Sequence, residues 1–69
     1  MKSLKIKVNG QIETVKEEIT ILDFVESKGL NPQNVVVEYN LNIVKSEQWN
    51  QTILKENDSL EVLSFVGGG

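Results

Sequence analysis

Apolar and charged residues alternate at the start of the chain. Leu4, Ile6 and Val8 alternate with Lys5 and Lys7. This is the period of a β-strand with one buried face. The pattern predicts that the three apolar side chains face the core and that both lysines face solvent, where charge discourages pairing between sheet edges.

A hairpin signal follows this strand. Asn9-Gly10 is the dipeptide most typical of a two-residue β-turn. Residues 11–15 contain Ile12 and the β-branched Thr14 and Val15. They are predicted to form the returning antiparallel strand.

The next segment has the period of a helix. Thr20 and Asp23 have the spacing of a capping box, which marks a helix start. Gly29 suits the left-handed position after a helix, and Pro32 prevents the helix from resuming. The pattern therefore predicts a helix of about two to three turns, whose apolar stripe consists of Ile21, Leu22, Phe24 and Val25.

The second half of the chain is predicted to be mainly β-structure. Residues 35–39 are rich in valine and end in tyrosine, which favours a third strand. Residues 40–42 are expected to turn the chain into a short fourth strand at residues 43–44, followed by a loop or one helical turn. Residues 59–66 are predicted to form the last strand.

These elements predict an α+β fold. One helix must cover one face of a mixed sheet of four to five strands, because each has a single apolar side to bury. We expect residues 1–66 to form this domain and residues 67–69 to form a flexible glycine tail.

Composition excludes several kinds of function. The chain has 69 residues, with no cysteine and no histidine, which removes disulfides, thiolate and imidazole nucleophiles and ordinary zinc sites. Seven lysines face ten acids, for a net charge of −3, so nucleic acid is a poor partner. There is no convincing catalytic pair, and an autonomous enzyme is not expected.

Hydropathy predicts a protein outside the membrane. The first residues carry lysines that interrupt any apolar run, and no stretch approaches transmembrane length. We therefore expect no signal peptide and a soluble, cytoplasmic protein.

Three conspicuous features are interpreted as structural. Trp49 is expected to anchor a loop on the core. The acids at Glu17-Glu18 and at Glu56 and Asp58 lie in turn regions, where carboxylates are usually solvated.

The chain ends in Gly67, Gly68 and Gly69. Terminal glycines are also typical of linkers, so a linker interpretation stands beside a functional one. Without a Cβ, a glycine tail can reach about 10 Å from the last strand and enter a narrow channel. The carboxylate of Gly69 would then be presented to the active site of another protein.

The last strand also predicts a docking surface. Leu60 and Val62 share one face, whereas Glu61, Leu63 and Phe65 share the other. If the first pair faces the helix, Leu63 and Phe65 lie on the open face beside the tail as a partner patch. The alternative is that strand twist or a loop covers them.

Taken in order, these motifs resemble the ThiS-type sulfur carriers of bacterial thiamine biosynthesis, which have a ubiquitin-like β-grasp fold. The resemblance covers the whole chain. It is carried by Asn9-Gly10, Val35-Val36-Val37-Glu38-Tyr39-Asn40, Ile43-Val44, Glu47-Gln48-Trp49, Asp58-Ser59-Leu60-Glu61-Val62 and Phe65-Val66-Gly67-Gly68-Gly69. Lys45 and the additional glycine Gly67 depart from the usual pattern.

The resemblance implies a chemistry for the terminus. An E1-like adenylyltransferase would join the Gly69 carboxylate to AMP, and a sulfur-donor enzyme would convert it to a thiocarboxylate. Gly67 and Gly68 would supply reach and clearance, and a thiazole synthase would receive the sulfur. The chain itself would bind no cofactor, because ATP and metal belong to the activating partner.

Two further functions stay open within the same fold. The chain could be a carrier like the small subunit of molybdopterin synthase, or a ubiquitin-like modifier that forms isopeptide bonds. A β-grasp interaction module with an inert tail is the structural alternative.

Overall fold

The computed structural model describes residues 2–65 of the chain. Its strands are β1 (Ser3–Val8), β2 (Gln11–Lys16), β3 (Val35–Tyr39), β4 (Asn42–Val44) and β5 (Ser59–Ser64). The helix α1 (Ile21–Ser27) follows β2, and two 3₁₀ segments cover Pro32–Asn34 and Ser46–Gln51. Within this described part, no helix is long and apolar enough to cross a membrane.

The strands form one mixed sheet in the order β2-β1-β5-β3-β4. The central strand β5 runs parallel to β1 and antiparallel to β3. Its pairing with β3 extends from Tyr39 opposite Leu60 to Val35 opposite Ser64, whereas the ladder with β1 ends at Val8 opposite Leu60. The second half of β5 therefore projects past the end of β1. The predicted α+β sheet with one helix is confirmed.

The helix starts and ends as the sequence predicts. The Thr20 hydroxyl accepts from the Asp23 amide at 3.0 Å, and the Asp23 carboxylate accepts from the Thr20 amide at 3.2 Å. Gly29 has a φ of +73°, and the amide of Leu30 donates to the carbonyl of Val25 at 3.3 Å. Both ends therefore satisfy backbone groups that a helix leaves unpaired.

One core lies between α1 and the sheet. The helix contributes Ile21, Phe24 and Val25, and the buried side chains of the sheet and loops are Ile6, Val8, Val35, Val37, Trp49, Leu54 and Leu60. The alternating burial along β1 matches its predicted inner face, although Leu4 is only partly buried.

Trp49 anchors the second 3₁₀ segment, as predicted. Its side chain is 1% exposed, and its indole Nε1 donates to the carbonyl of Val44 at 2.9 Å. The indole therefore joins the segment after β4 to both the core and β4.

The predicted extent of the last strand needs a correction. β5 ends at Ser64 instead of Val66, because its partner β3 begins at Val35, directly opposite. Phe65 still donates its amide to the carbonyl of Asn34 at 2.7 Å. Val66 lies outside the described residues.

Candidate functional site

The end of β5 presents apolar side chains to solvent. Leu60 is 1% exposed and faces the core, with Val62 packed against the same core. On the opposite face, Leu63 and Phe65 are each 59% exposed. The predicted division of this strand is confirmed, and neither strand twist nor a loop covers the two side chains.

Leu63 and Phe65 form one patch together with Val36. Val36 lies directly opposite Leu63 in the β3–β5 ladder, and Phe65 follows two positions later, directly after the end of β5. We call Val36, Leu63 and Phe65 the open-face patch. It lies on the side of the sheet away from α1, next to the point where the chain continues towards residues 66–69.

The side chain of Asn9 supports β5 where β1 ends. Its Oδ1 accepts from the Val62 amide at 2.8 Å, and its Nδ2 donates to the Val62 carbonyl at 3.3 Å. Its own backbone amide donates to the carbonyl of Leu60 at 2.9 Å. Asn9 therefore continues the pairing on this side of β5 by one further position, close to the open-face patch.

A polar cluster fixes the beginning of β5. The Asp58 carboxylate accepts from the Tyr39 hydroxyl at 2.7 Å, from Asn40 Nδ2 at 3.2 Å and from the Lys55 amide at 2.7 Å. Asp58 is only 9% exposed. The interpretation of Asp58 as a solvated turn acid is therefore wrong, because its carboxylate has three donors inside the fold. Glu56 is exposed, as expected, and its side chain accepts from the Lys5 amide.

The same cluster alters the acidity of Tyr39. Three causes raise the pKa of Tyr39 to about 12. The largest is burial of the phenol, and the others are the hydrogen bond to Asp58 and the negative charge of that carboxylate. The phenol therefore stays protonated and remains a donor to Asp58 throughout the neutral range.

Charge is unevenly distributed over the open face. Lys5 and Lys7 project from β1 and are exposed, as predicted. Glu38 and Glu61 lie opposite each other on β3 and β5. Among residues 2–65, the structure contains one salt bridge, between Lys28 and Glu13 at 2.6 Å on the helix side.

The described residues do not form a metal site. Across residues 2–65, no group of three or more acidic, histidine or cysteine side chains is arranged to hold an ion. On the helix side, a groove between β2 and α1 contains Glu13 and Asp23. Both carboxylates already have partners, since Glu13 pairs with Lys28 and Asp23 caps the helix.

The glycine tail lies outside the described residues, so the roles of Gly67, Gly68 and Gly69 stay predictions.

The sequence interpretation missed the second function of Asn9 and the opposed pair Glu38 and Glu61. The Asn-Gly motif identifies the turn, but the side chain of Asn9 bonds to Val62, which lies 53 residues later in the chain. The opposition of the two glutamates depends on a register that the sequence pattern does not specify.

Comparisons with known proteins give a consistent result. Residues 5–69 match the model of the ThiS family. The chain is 34% identical over 65 residues to the sulfur carrier protein ThiS of Bacillus subtilis, covering 93% of this chain and 98% of that protein. It superimposes on the crystal structure of the thiamine biosynthesis protein ThiS from Geobacter metallireducens with a TM-score of 0.80 and 29% identity, covering 96% of this chain and 100% of that one.

The chain matches only one part of a much longer relative. The chain is 30% identical over 66 residues to a thiazole synthase of Paramagnetospirillum magneticum. The match covers 96% of this chain but 20% of that protein. The chain therefore spans about a fifth of the length of this relative.

Proposed function

The chain belongs to the ThiS family, and on that premise we propose that it is a sulfur carrier of thiamine biosynthesis whose reactive group is the carboxylate of Gly69. The observation that carries the proposal is the exposure of Leu63 and Phe65 at the end of β5, immediately before the residues that lead to the glycine tail. The family match through residue 69 supports the assignment of the tail to the functional part.

The chemistry requires activation of a poor electrophile. A terminal carboxyl group has a pKa near 3.3 to 3.7, so at neutral pH it is an anion that resists nucleophiles. In the proposed first step, a Gly69 carboxylate oxygen attacks the α-phosphorus of ATP, and pyrophosphate leaves. The E1-like adenylyltransferase provides the metal and cationic groups that stabilise the phosphates.

The second step exchanges oxygen for sulfur. A sulfide equivalent from the sulfur-donor enzyme attacks the carbonyl carbon of the acyl-adenylate. The bond to AMP breaks, AMP leaves with its electron pair, and a thiocarboxylate remains on Gly69. Glycine leaves this carbonyl uncrowded, and a chain without cysteine has no thiol that could hold the sulfur elsewhere.

A thiazole synthase is the proposed acceptor of the sulfur. The relative from Paramagnetospirillum magneticum is named a thiazole synthase and contains a segment similar to this chain. Such a relative supports a carrier and a synthase that act together. On this proposal the chain is a co-substrate in the cytoplasm and catalyses no step itself.

Intact-mass spectrometry tests the proposal. The purified chain is incubated with ATP, an E1-like adenylyltransferase and a sulfur donor. We expect a mass increase equal to the replacement of one oxygen by sulfur, and no increase in a variant that lacks residues 67–69. Absence of adenylation in the full chain would contradict the proposal, and adducts on lysines of other proteins would favour a modifier instead.

A further inference from the structure

Two glutamates face each other on the open side of the sheet. Glu38 on β3 and Glu61 on β5 are in register, which places their Cβ atoms roughly 4.5 to 5.5 Å apart. Neither belongs to the salt bridge formed among residues 2–65. Like charges directly opposite each other destabilise a sheet, so this pair opposes folding of the isolated domain.

Apolar side chains lie on two sides of this pair. Ile43, which is 71% exposed, lies opposite Glu38 on β4. On the other side, the next outward-facing pair along the ladder is Val36 and Leu63 of the open-face patch. A protein surface large enough to cover the patch therefore also covers the two carboxylates.

Covering these carboxylates has an electrostatic requirement. Removing a carboxylate from water is unfavourable unless a cation and hydrogen-bond donors replace the water. Arginine satisfies this requirement better than lysine, because its planar guanidinium group carries five donors and can bind two adjacent carboxylates at once.

We propose that the open face docks a partner protein that inserts one arginine between Glu38 and Glu61 and packs apolar side chains on Leu63 and Phe65. The inference rests on the proposed function, since the partner is the adenylating enzyme that acts on Gly69. The arginine relieves the repulsion between the glutamates, and a partner surface without a cation at this point binds less tightly.

The first test is thermal and uses the chain alone. E38Q and E61Q each remove one of the opposed charges at nearly constant volume. We expect each to raise the melting temperature by about 1 to 4 °C, and the double variant to gain little more, because either change removes the same repulsion. E38K, which places a cation opposite Glu61, should raise it at least as much.

The second test measures binding of the same variants to the adenylating enzyme that loads the wild-type chain with sulfur. E38Q and E61Q should each weaken binding by about tenfold or more, and E38K should weaken it further. Binding of the wild type should also weaken with salt more steeply than binding of E38Q. E47Q is the matched control, because it removes one exposed charge on the segment that packs beside α1, and it should bind like the wild type.

The combination of a higher melting temperature and weaker binding distinguishes docking from a structural role. Unchanged melting temperatures, or variants that bind like E47Q, would overturn the inference. Failure of the wild type to acquire sulfur would count against the proposed function instead. The thermal measurement requires no partner, so the charge repulsion is tested in either case.

Discussion

The side-chain amide of Asn9 forms hydrogen bonds with the backbone of Val62, in the place where the backbone of a further β1 residue would form them. Its Oδ1 accepts from the Val62 amide at 2.8 Å, and its Nδ2 donates to the Val62 carbonyl at 3.3 Å. Asn9 also occupies the first turn position with a φ of +50°, which asparagine tolerates better than most residues. One residue thus closes the first hairpin and supports the central strand near the open-face patch.

Replacing Asn9 separates these two roles. Asn9→Gly keeps the positive φ but removes both hydrogen bonds, so we expect unfolding free energy to fall by about 1 to 2 kcal/mol. Urea titration measures the loss, and hydrogen exchange at the Val62 amide should accelerate. Asn9→Asp keeps the acceptor but not the donor and should lie between Asn9→Gly and the wild type. If Asn9→Gly is as stable as the wild type, the Val62 hydrogen bonds contribute nothing.

The raised pKa of Tyr39 predicts a loss of stability at alkaline pH. Folding raises the pKa of its phenol from the ordinary value of 10.0 to about 12, so the folded state holds the proton more tightly than the unfolded state. This contribution is fully present below pH 10 and disappears as the pH rises towards 12. The stability difference between wild type and Tyr39→Phe should therefore shrink across that window.

Tyr39 is the one tyrosine in the chain, so the ultraviolet absorbance of the phenolate follows this residue alone. Its titration midpoint should lie near 12 in the folded protein. In Asp58→Asn the midpoint should move down, because the nearby negative charge is removed. A midpoint at the ordinary value in the folded wild type would contradict the contact with Asp58.

Truncation of Trp49 should destabilise the whole domain. Trp49→Phe loses the hydrogen bond to Val44 and leaves a gap in the core, and we expect a cost of about 2 to 4 kcal/mol. Chemical denaturation measures this cost by circular dichroism, which does not require the indole. Gln48→Ala, at the exposed neighbouring position, should change stability little. A similar loss in both variants would show that the segment, not the indole, is responsible.

The open-face patch should matter for sulfur loading and not for folding. Leu63→Ser and Phe65→Ser change side chains that are each 59% exposed, so stability should change by less than about 1 kcal/mol. Loading of Gly69, followed by intact mass, should slow by about tenfold or more if each side chain is an anchor in the complex. Leu41→Ser removes an exposed leucine from the turn between β3 and β4 and should load at the wild-type rate. Equal loading by all three variants would contradict docking through this patch.

The turn at Leu41 should be open to stabilisation. Leu41 has a φ of +76°, a left-handed conformation that is unfavourable for leucine. Its side chain is 87% exposed, so packing does little to offset this cost. Leu41→Gly creates the Asn-Gly pair already present at Asn9-Gly10, and we expect a gain of about 0.5 to 1 kcal/mol. Gly10→Ala is the reverse test. It should lose stability through backbone strain, because φ is +85°. A steric clash does not contribute, since nothing lies within 4 Å of the added Cβ.

The local patterns of the sequence determined most of the fold. Alternation in residues 4–8, the Asn-Gly turn, the capping box at Thr20 and the glycine at the helix end act over a few neighbouring positions, so they predicted β1, the hairpin and α1. The same period of two predicted that Leu63 and Phe65 lie on the face opposite Leu60. The resemblance to the ThiS family, confirmed by the family match, supplied the proposed chemistry of Gly69.

Only the tertiary structure decided which distant side chains meet. The hydrogen bonds from Tyr39 and Asn40 to Asp58, the two hydrogen bonds from Asn9 to Val62 and the opposition of Glu38 and Glu61 all depend on the placement of β5 between β1 and β3. Hydrophobic alternation determines which face of a strand is buried, but it does not determine the strand's neighbours or how far their ladders extend. The sequence therefore predicted an exposed apolar patch before the glycine tail, and the strand register placed a pair of like charges beside it.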